Sequence, residues 1–299
     1  MNRLVAVAIA ACFLATGCAG QKAASASPGA IRVVATTTVF ADLVRSIGGS
    51  RVVVDSLVPK GGDVHTFDPR PSDVAKVADA QLVVANGLGL DEWLAKLATD
   101  SGTSAPIVRL AESVSPSRYI VEAGIPNPHL WLDPDDATTY GAAIAAALTK
   151  LDSAGGETFA ENSRAFGAQM AALKQWGRDL VGTLPADRRA LIAFHDALPY
   201  LARAYGLEIA GVILKAPGQD PSAADIAALV DAIRANHIRV VVSEVQFSDK
   251  LARTIANETG ATIVSDLYDD SLGDPPITSY DALVRYDLEH LVAGLKGSG

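Results

Sequence analysis

The chain has 299 residues, is 49% hydrophobic, and carries a formal charge of −9 with only two cysteines. The acidic balance excludes a nucleic-acid binder, because no basic stripe is present to displace counterions from phosphates. The cysteines, Cys12 and Cys18, both lie near the start. Everything beyond residue 18 therefore lacks disulfides and thiolate metal ligands and must be stabilised by a hydrophobic core.

Met1-Asn2-Arg3 is a short positive start, and Leu4 to Leu14 is an apolar run broken only by small residues. A helix across a bilayer needs about 20 apolar residues, so this run reads as a signal peptide, residues 1–17. The stretch Leu14-Ala15-Thr16-Gly17-Cys18 resembles a bacterial lipobox. Cleavage before Cys18 would leave its sulfur to carry a lipid; an ordinary signal peptide with Cys18 there by chance is the alternative. Residues 18–30 show no apolar periodicity and are expected to be a flexible tether.

From Ile31 onward, apolar runs of strand length alternate with helical patterns. Strands are expected at Ile31–Thr36, Val52–Val58, Gln81–Ala85 and Pro106–Leu110, with helices at Val39–Ile47, Pro71–Ala78, Asp91–Ala98 and Pro134–Leu151. The second half repeats the scheme, with strands at Ala190–Phe194, Leu207–Leu214, Val240–Ser243 and Thr262–Ser265. Its helices are expected at Asp196–Ala204, Ser222–Ala235, Asp249–Glu258 and Ser279–Leu295. Short Val- and Ile-rich runs separated by helices predict parallel sheets covered on both faces. Between the halves, Phe159, Phe166, Met170, Leu173, Trp176, Leu180 and Leu184 recur at helical spacing. One helix over Glu157–Leu184 would be about 40 Å long, enough to bridge two lobes. The expected fold is α/β: two lobes with parallel sheets flanked by helices, residues 31–154 and 186–299, joined by one long linking helix within residues 155–185. A single continuous sheet with a long surface helix is the alternative.

Five histidines can be weighed one by one. His65 lies in a loop after the second strand, His129 just before the helix starting at Pro134, and His195 directly after the strand Ala190–Phe194. All three fall on the edge of an open α/β sheet where ligands bind. His237 precedes a strand and reads as a solvated connector; His290, in the last helix, reads as a surface residue or a partner of neighbouring acids. Neutral imidazole is the commonest transition-metal ligand, so three on one edge point to a metal. With no cysteine left, a fourth donor should be a carboxylate or water. Asp266, at the end of its strand, is preferred, with Asp269 and Asp270 as alternatives.

The stretches 62–69 (GDVHTFDP), 127–134 (NPHLWLDP) and 194–200 (FHDALPY) carry a family resemblance, with Tyr205-Gly206-Leu207, Glu244-Val245-Gln246-Phe247 and Ser265-Asp266. In this order and spacing the chain resembles the ABC-importer solute-binding proteins specific for zinc and manganese. The resemblance implies metal ligands at His65, His129, His195 and Asp266, two from each lobe, and a rigid linking helix. It implies an exported protein, lipid-anchored on the outer face of the cytoplasmic membrane or periplasmic. Such a protein captures one divalent ion per chain and hands it to a membrane permease; a monomer is expected. Val64 stands where the family usually has Pro, Asn127 where it usually has Asp, and no His-rich loop occurs in residues 111–128; no donor is lost.

Three imidazoles and one carboxylate suit zinc better than manganese, and manganese-specific members tend to offer Glu where this chain has His195. Glu244 and Asp63 are candidates to orient the imidazoles from behind. Release is expected to come from lobe displacement that pulls Asp266 away. A zinc-dependent hydrolase would need Glu244 or Asp63 as general base, and no His-Glu-x-x-His helix is present. A binder of a chelated or organic ligand would need an aromatic or Arg-rich pocket, which the sequence does not advertise. Nothing independent supports a surface adhesin.

Overall fold

The computed structural model describes residues 29–215 and 218–297. The expected signal segment and the lipidation residue Cys18 lie outside them. Among the described residues, no helix is long and apolar enough to cross a membrane.

Two four-stranded sheets form the framework. The first contains β1 (Ile31–Ala35), β2 (Val52–Ser56), β3 (Leu82–Ala85) and β4 (Ile107–Arg109) in the order β2-β1-β3-β4, all parallel. After a two-stranded hairpin, β5 (Val121–Glu122) and β6 (Ile125–Pro126), the second sheet contains β7 (Ala190–His195), β8 (Glu208–Leu214), β9 (Val240–Glu244) and β10 (Thr262–Leu267). Its order is β10-β9-β7-β8, again parallel. The inner strands carry β-branched residues buried on both faces, such as Val33, Val83, Val84, Ile192, Val241 and Val242. Such strands need cover on both sides, which the intervening helices supply.

Helices α1 (Thr38–Gly48), α2 (Pro71–Asp79), α3 (Trp93–Ser101) and α4 (Pro134–Leu151) belong to the first half. In the second half are α6 (Pro199–Tyr205), α7 (Ala223–Ala235), α8 (Lys250–Thr259) and α9 (Tyr280–Gly297). Between them runs α5, Gly156–Gly182, whose 27 residues make a rod about 40 Å long. Its buried stripe, Phe159, Phe166, Met170, Leu173, Gly177 and Val181, follows helical spacing. The expected bundle of strands and helices is found with ends shifted by a few residues. One shift matters: His195 is the last residue of β7, and α6 starts only at Pro199.

The lobes are not independent bodies. A single apolar cluster contains Val33 and Phe40 from the first half, Phe166 and Leu173 from α5, and Leu191, Tyr280 and Leu288 from the second. The chain also crosses back: Leu272 N–H donates to Thr38 Oγ1 at 2.7 Å, and Tyr280 N–H to Asp42 Oδ2 at 2.8 Å. Trp131 is fully buried edge-on to Phe40, with ring centroids 5.1 Å apart.

Gly177 lies where α5 meets α6 and α9. A Cβ there would fall 2.3 Å from Tyr205 Cε1 and 2.7 Å from Leu288 Cδ1. Alanine is worth about 1 kcal/mol over glycine in an open helix, but overpacking of this kind costs about 1–3 kcal/mol. Gly177→Ala should therefore lower the urea midpoint; an unchanged or higher midpoint would show that the crossing has slack.

Candidate metal centre

The C-terminal edges of the two sheets face one another across a seam, and the imidazoles meet there. His65 is held by its loop: its backbone N–H donates to Asp63 Oδ1 at 2.9 Å, and Thr66 Oγ1 donates to Asp63 Oδ2 at 2.6 Å. The loop is pinned from below, because Trp93 Nε1–H donates to Val64 O at 2.8 Å and the Val64 side chain is buried in the core. His129 hangs from the segment after β6. Asn86, just past β3, donates from Nδ2 to Pro128 O at 2.9 Å, and Tyr200 O–H donates to Asn127 O at 2.9 Å. His195 needs no loop, because it rides on the end of β7.

His65 Nε2 and His129 Nε2 are 3.3 Å apart. The ring centroids of His195 lie 5.3 Å from His129 and 5.9 Å from His65. One nitrogen from each of the three rings lies within 4.8 Å of the others. Donors about 2.0–2.1 Å from a tetrahedral ion sit about 3.3–3.4 Å from one another, so the first pair is already at ligand spacing. A cleft of about 410 Å³ opens beside them, lined among others by Asn127, Asp196 and Lys215. A larger hollow of about 560 Å³ lies at the opposite edge of the second sheet, beside the exposed His237. Among the described residues that line it there is no second histidine and no carboxylate. His290 is exposed, with Nδ1 2.7 Å from Tyr286 O.

The acids are placed differently from expectation. Asp266 does not reach the seam. The pairing of β10 with β9 shifts register between Val264 and Leu267, and Asp266 adopts a left-handed backbone with φ 64°. Such a bulge breaks the alternation of side chains, and aspartate is among the few residues that tolerate it. The Asp266 carboxylate is exposed, 3.2 Å from Ser265 Oγ. The chain turns into the seam a few residues later, delivering Asp269 and Asp270, both buried. Trp131 fixes that turn: its indole N–H donates to Asp269 O at 3.0 Å. Asp270 Oδ1 lies 3.9 Å from His129 Nε2, and Asp269 Oδ2 lies 3.4 Å from His195 Nε2.

Glu244, at the end of β9, places Oε2 3.5 Å from His195 Nδ1, behind the ring. Asp63 does not sit behind a ring; it braces the His65 loop through the backbone. That role falls instead to Asn127, whose Oδ1 is 3.0 Å from His129 Nδ1. Gln246 contributes too, donating from Nε2 to Asp269 Oδ1 at 2.6 Å. The sequence offers Asn127 only as a departure from the family motif and Gln246 only as part of the stretch 244–247.

Electrostatics sort the three rings. Burial, and then the neighbouring His195, lowers His65 to about 4 against the opposing pull of Asp63. Burial and the other two rings hold His129 well below its ordinary value. Burial would depress His195 as well, but Glu244, Asp269 and Asp270 outweigh it and push the ring up to about 10. Burial raises all three carboxyl groups, and Asp269 raises Asp270 further. Both oxygens of Glu244, both of Asp270 and Asp269 Oδ2 are buried without a hydrogen-bond partner, as are both nitrogens of His195. Buried acid oxygens with nothing donating to them call for a cation.

Two parallel sheets joined by one long helix, with imidazoles and buried carboxylates converging at their seam, define a two-lobed binding protein for a metal ion. Known proteins agree. The chain matches the family described as zinc-uptake complex component A, periplasmic, over residues 33–294. It is 32% identical over 266 residues to the iron-binding protein YfeA of Yersinia pestis, covering 88% of this chain and 86% of that one. It is 26% identical over 286 residues to the manganese-binding lipoprotein MntA of Halalkalibacterium halodurans, covering 95% of each. Among solved structures, the periplasmic zinc binding protein TroA of Treponema pallidum superposes with a TM-score of 0.83 at 26% identity, over 89% of this chain and 99% of that one.

The chain belongs to the zinc-uptake complex component A family of metal-binding proteins that serve ABC importers. It is an extracytoplasmic solute-binding protein that captures a divalent transition metal for import, and not an enzyme. Glu244 is accordingly no general base.

In the metal-free protein, His195 should be the ring that carries a proton at neutral pH. Nitrogen-15 NMR of the imidazoles should show it charged through pH 8, with His65 neutral down to about pH 4. Glu244→Gln should move the His195 midpoint downward; a His195 already neutral at pH 7 would contradict this electrostatic picture.

Proposed function

We propose that His65, His129, His195 and Asp270 hold one zinc ion as the transported cargo, which the protein passes to the permease of an ABC importer. The observation that carries this reading is the meeting of three imidazoles, with the buried Asp270, whose oxygens lack any protein donor, placing Oδ1 3.9 Å from His129 Nε2. Asp270 is preferred over Asp269 because both of its oxygens are unpartnered. Asp269 Oδ1 already accepts from Gln246 and from the Asp270 N–H, at 2.7 Å from the latter. Asp269 and Glu244 then act from behind, holding His195 and adding negative charge around the ion. Three nitrogens and one oxygen favour zinc over manganese, and the general affinity order points the same way.

Relatives are described as binding iron and manganese, and solved structures similar to this chain include zinc-, manganese- and cadmium-binding forms. Several relatives are described as lipoproteins, which supports an anchor at Cys18 on the outer face of the membrane. We read the protein as a monomer whose complete site comes from one chain. Docking on the permease would part the lobes and draw Asp270 and His195 from His65 and His129.

Asp270→Asn should weaken zinc binding by about 3 kcal/mol, roughly a hundredfold, a quarter share of a structural zinc site. Asp266→Ala should leave it unchanged, and the opposite ranking in a competition titration would overturn the assignment. Protein purified without chelator should carry about one zinc per chain, and manganese should not displace it at equal concentration. Equimolar displacement by manganese would sink the preference for zinc. Because metal must displace the His195 proton, zinc affinity should rise by about tenfold per pH unit across the neutral range. A flat profile would mean that no proton leaves.

A further inference from the structure

Asn127 is only 6% exposed, and every atom of its amide is committed. Its Oδ1 faces two donors of its own lobe, the His129 backbone N–H at 3.0 Å and His129 Nδ1 at 3.0 Å. Its Nδ2 faces two acceptors of the opposite lobe, Asp196 O at 2.6 Å and Asp196 Oδ2 at 2.8 Å. The amide cannot be turned over, because that would set NH₂ against N–H and oxygen against oxygen. Asp196 directly follows His195, so one side chain connects the backbone beside one imidazole to the ring of another. The backbone around Asn127 crosses the seam as well: Tyr200 O–H, from α6, donates to Asn127 O, and Ile120 N–H donates to Tyr200 Oη at 2.9 Å. The bonds to Asp196 and Tyr200 are satisfied only while the lobes are in contact.

We propose that Asn127 is a positioning residue that latches the lobes to the metal: it fixes the His129 ring for coordination only while its amide is bonded to Asp196. Parting the lobes removes the two acceptors of Nδ2, frees the side chain to rotate, and loosens the ring that it orients. Metal escape and lobe opening are thereby one event. A carboxylate at 127 could still accept from the ring but could not donate to Asp196. This inference rests on His129 being a metal ligand, and the experiment separates the two.

The test is stopped-flow transfer of zinc from the loaded full chain to an excess of chelator, for the parent, N127D, D196N and the double variant N127D/D196N. N127D keeps the acceptor for His129 and sets two carboxylates face to face, so zinc should leave about tenfold faster or more, the usual scale for a residue behind a ligand. D196N keeps a side-chain and a backbone acceptor for the Asn127 amide, so it should speed release less than N127D does. In the double variant the amide and the carboxylate exchange places, and the release rate should return toward the parent. The cobalt(II) form of N127D should keep the parent's visible bands, because all four donors remain. An unchanged rate in N127D, a double variant as fast as N127D, or altered cobalt bands would each overturn the latch. His129→Ala separates the two ideas: if it still binds one zinc with parent affinity, the ligand reading fails whatever the other variants do.

Discussion

Three carboxyl groups, Glu244, Asp269 and Asp270, are buried at one seam with too few donors for their oxygens, and much of the molecule is arranged around that imbalance. An unpaired buried charge costs several kcal/mol, so such a cluster either holds protons or draws in something positive to complete it. Without metal, the proton on His195 does so in part. In the proposed site a divalent ion would take its place, and the two neutral rings, His65 and His129, would offer lone pairs. On that reading the acid cluster sets the demand for a cation, while the imidazoles would favour the cation that meets it.

Holding that imbalance in place requires a stiff frame, and the seam is braced by polar contacts as well as by the apolar core. Asp133 caps α4 and receives Lys174 Nζ of α5 at 2.8 Å, Arg118 at 3.1 Å and Arg203 of α6 at 3.2 Å. Burial would raise this carboxyl group, yet Lys174, the Asp135 N–H and the surrounding cations keep it below its usual value. Ion pairs of this kind add little net stability, but removing a partner would leave the buried Asp133 carboxylate less well compensated. They tie the segment carrying His129 to the long helix and to the second lobe. Trp131, two residues beyond His129, ties it again to the turn carrying Asp269.

Much of this was legible in the residues. The run Val240–Val242 announces a buried strand and Val52–Val54 a half-exposed edge strand, because few other contexts place β-branched residues in succession. The three histidines were legible because each sits where a strand ends or a helix is about to begin. Asp266 misled for the same reason: it looks like the end of a strand. Nothing in Thr262–Leu267 marks the bulge that turns it outward, since a left-handed aspartate leaves no periodic trace. The hairpin β5–β6 escaped notice because strands of two residues have no alternation to detect. Asn127 was visible only as a departure from a motif. Its meaning depends on Asp196, 69 positions away, and no local pattern connects the two.

The frame leaves little room for a wide hinge, since one core runs through both lobes and α5 spans them. Release does not need one. Coordination and the hydrogen bonds that cross the seam both depend on short distances between groups of the two halves. On the proposed assignment, a small parting of the lobes would loosen both together. His65 and His129 come from one side, His195 and the acidic turn from the other, so on the proposed assignment every such shift would act on the ion directly. Rigidity and release do not conflict here. A stiff body concentrates whatever displacement the permease imposes into the one seam where the donors meet.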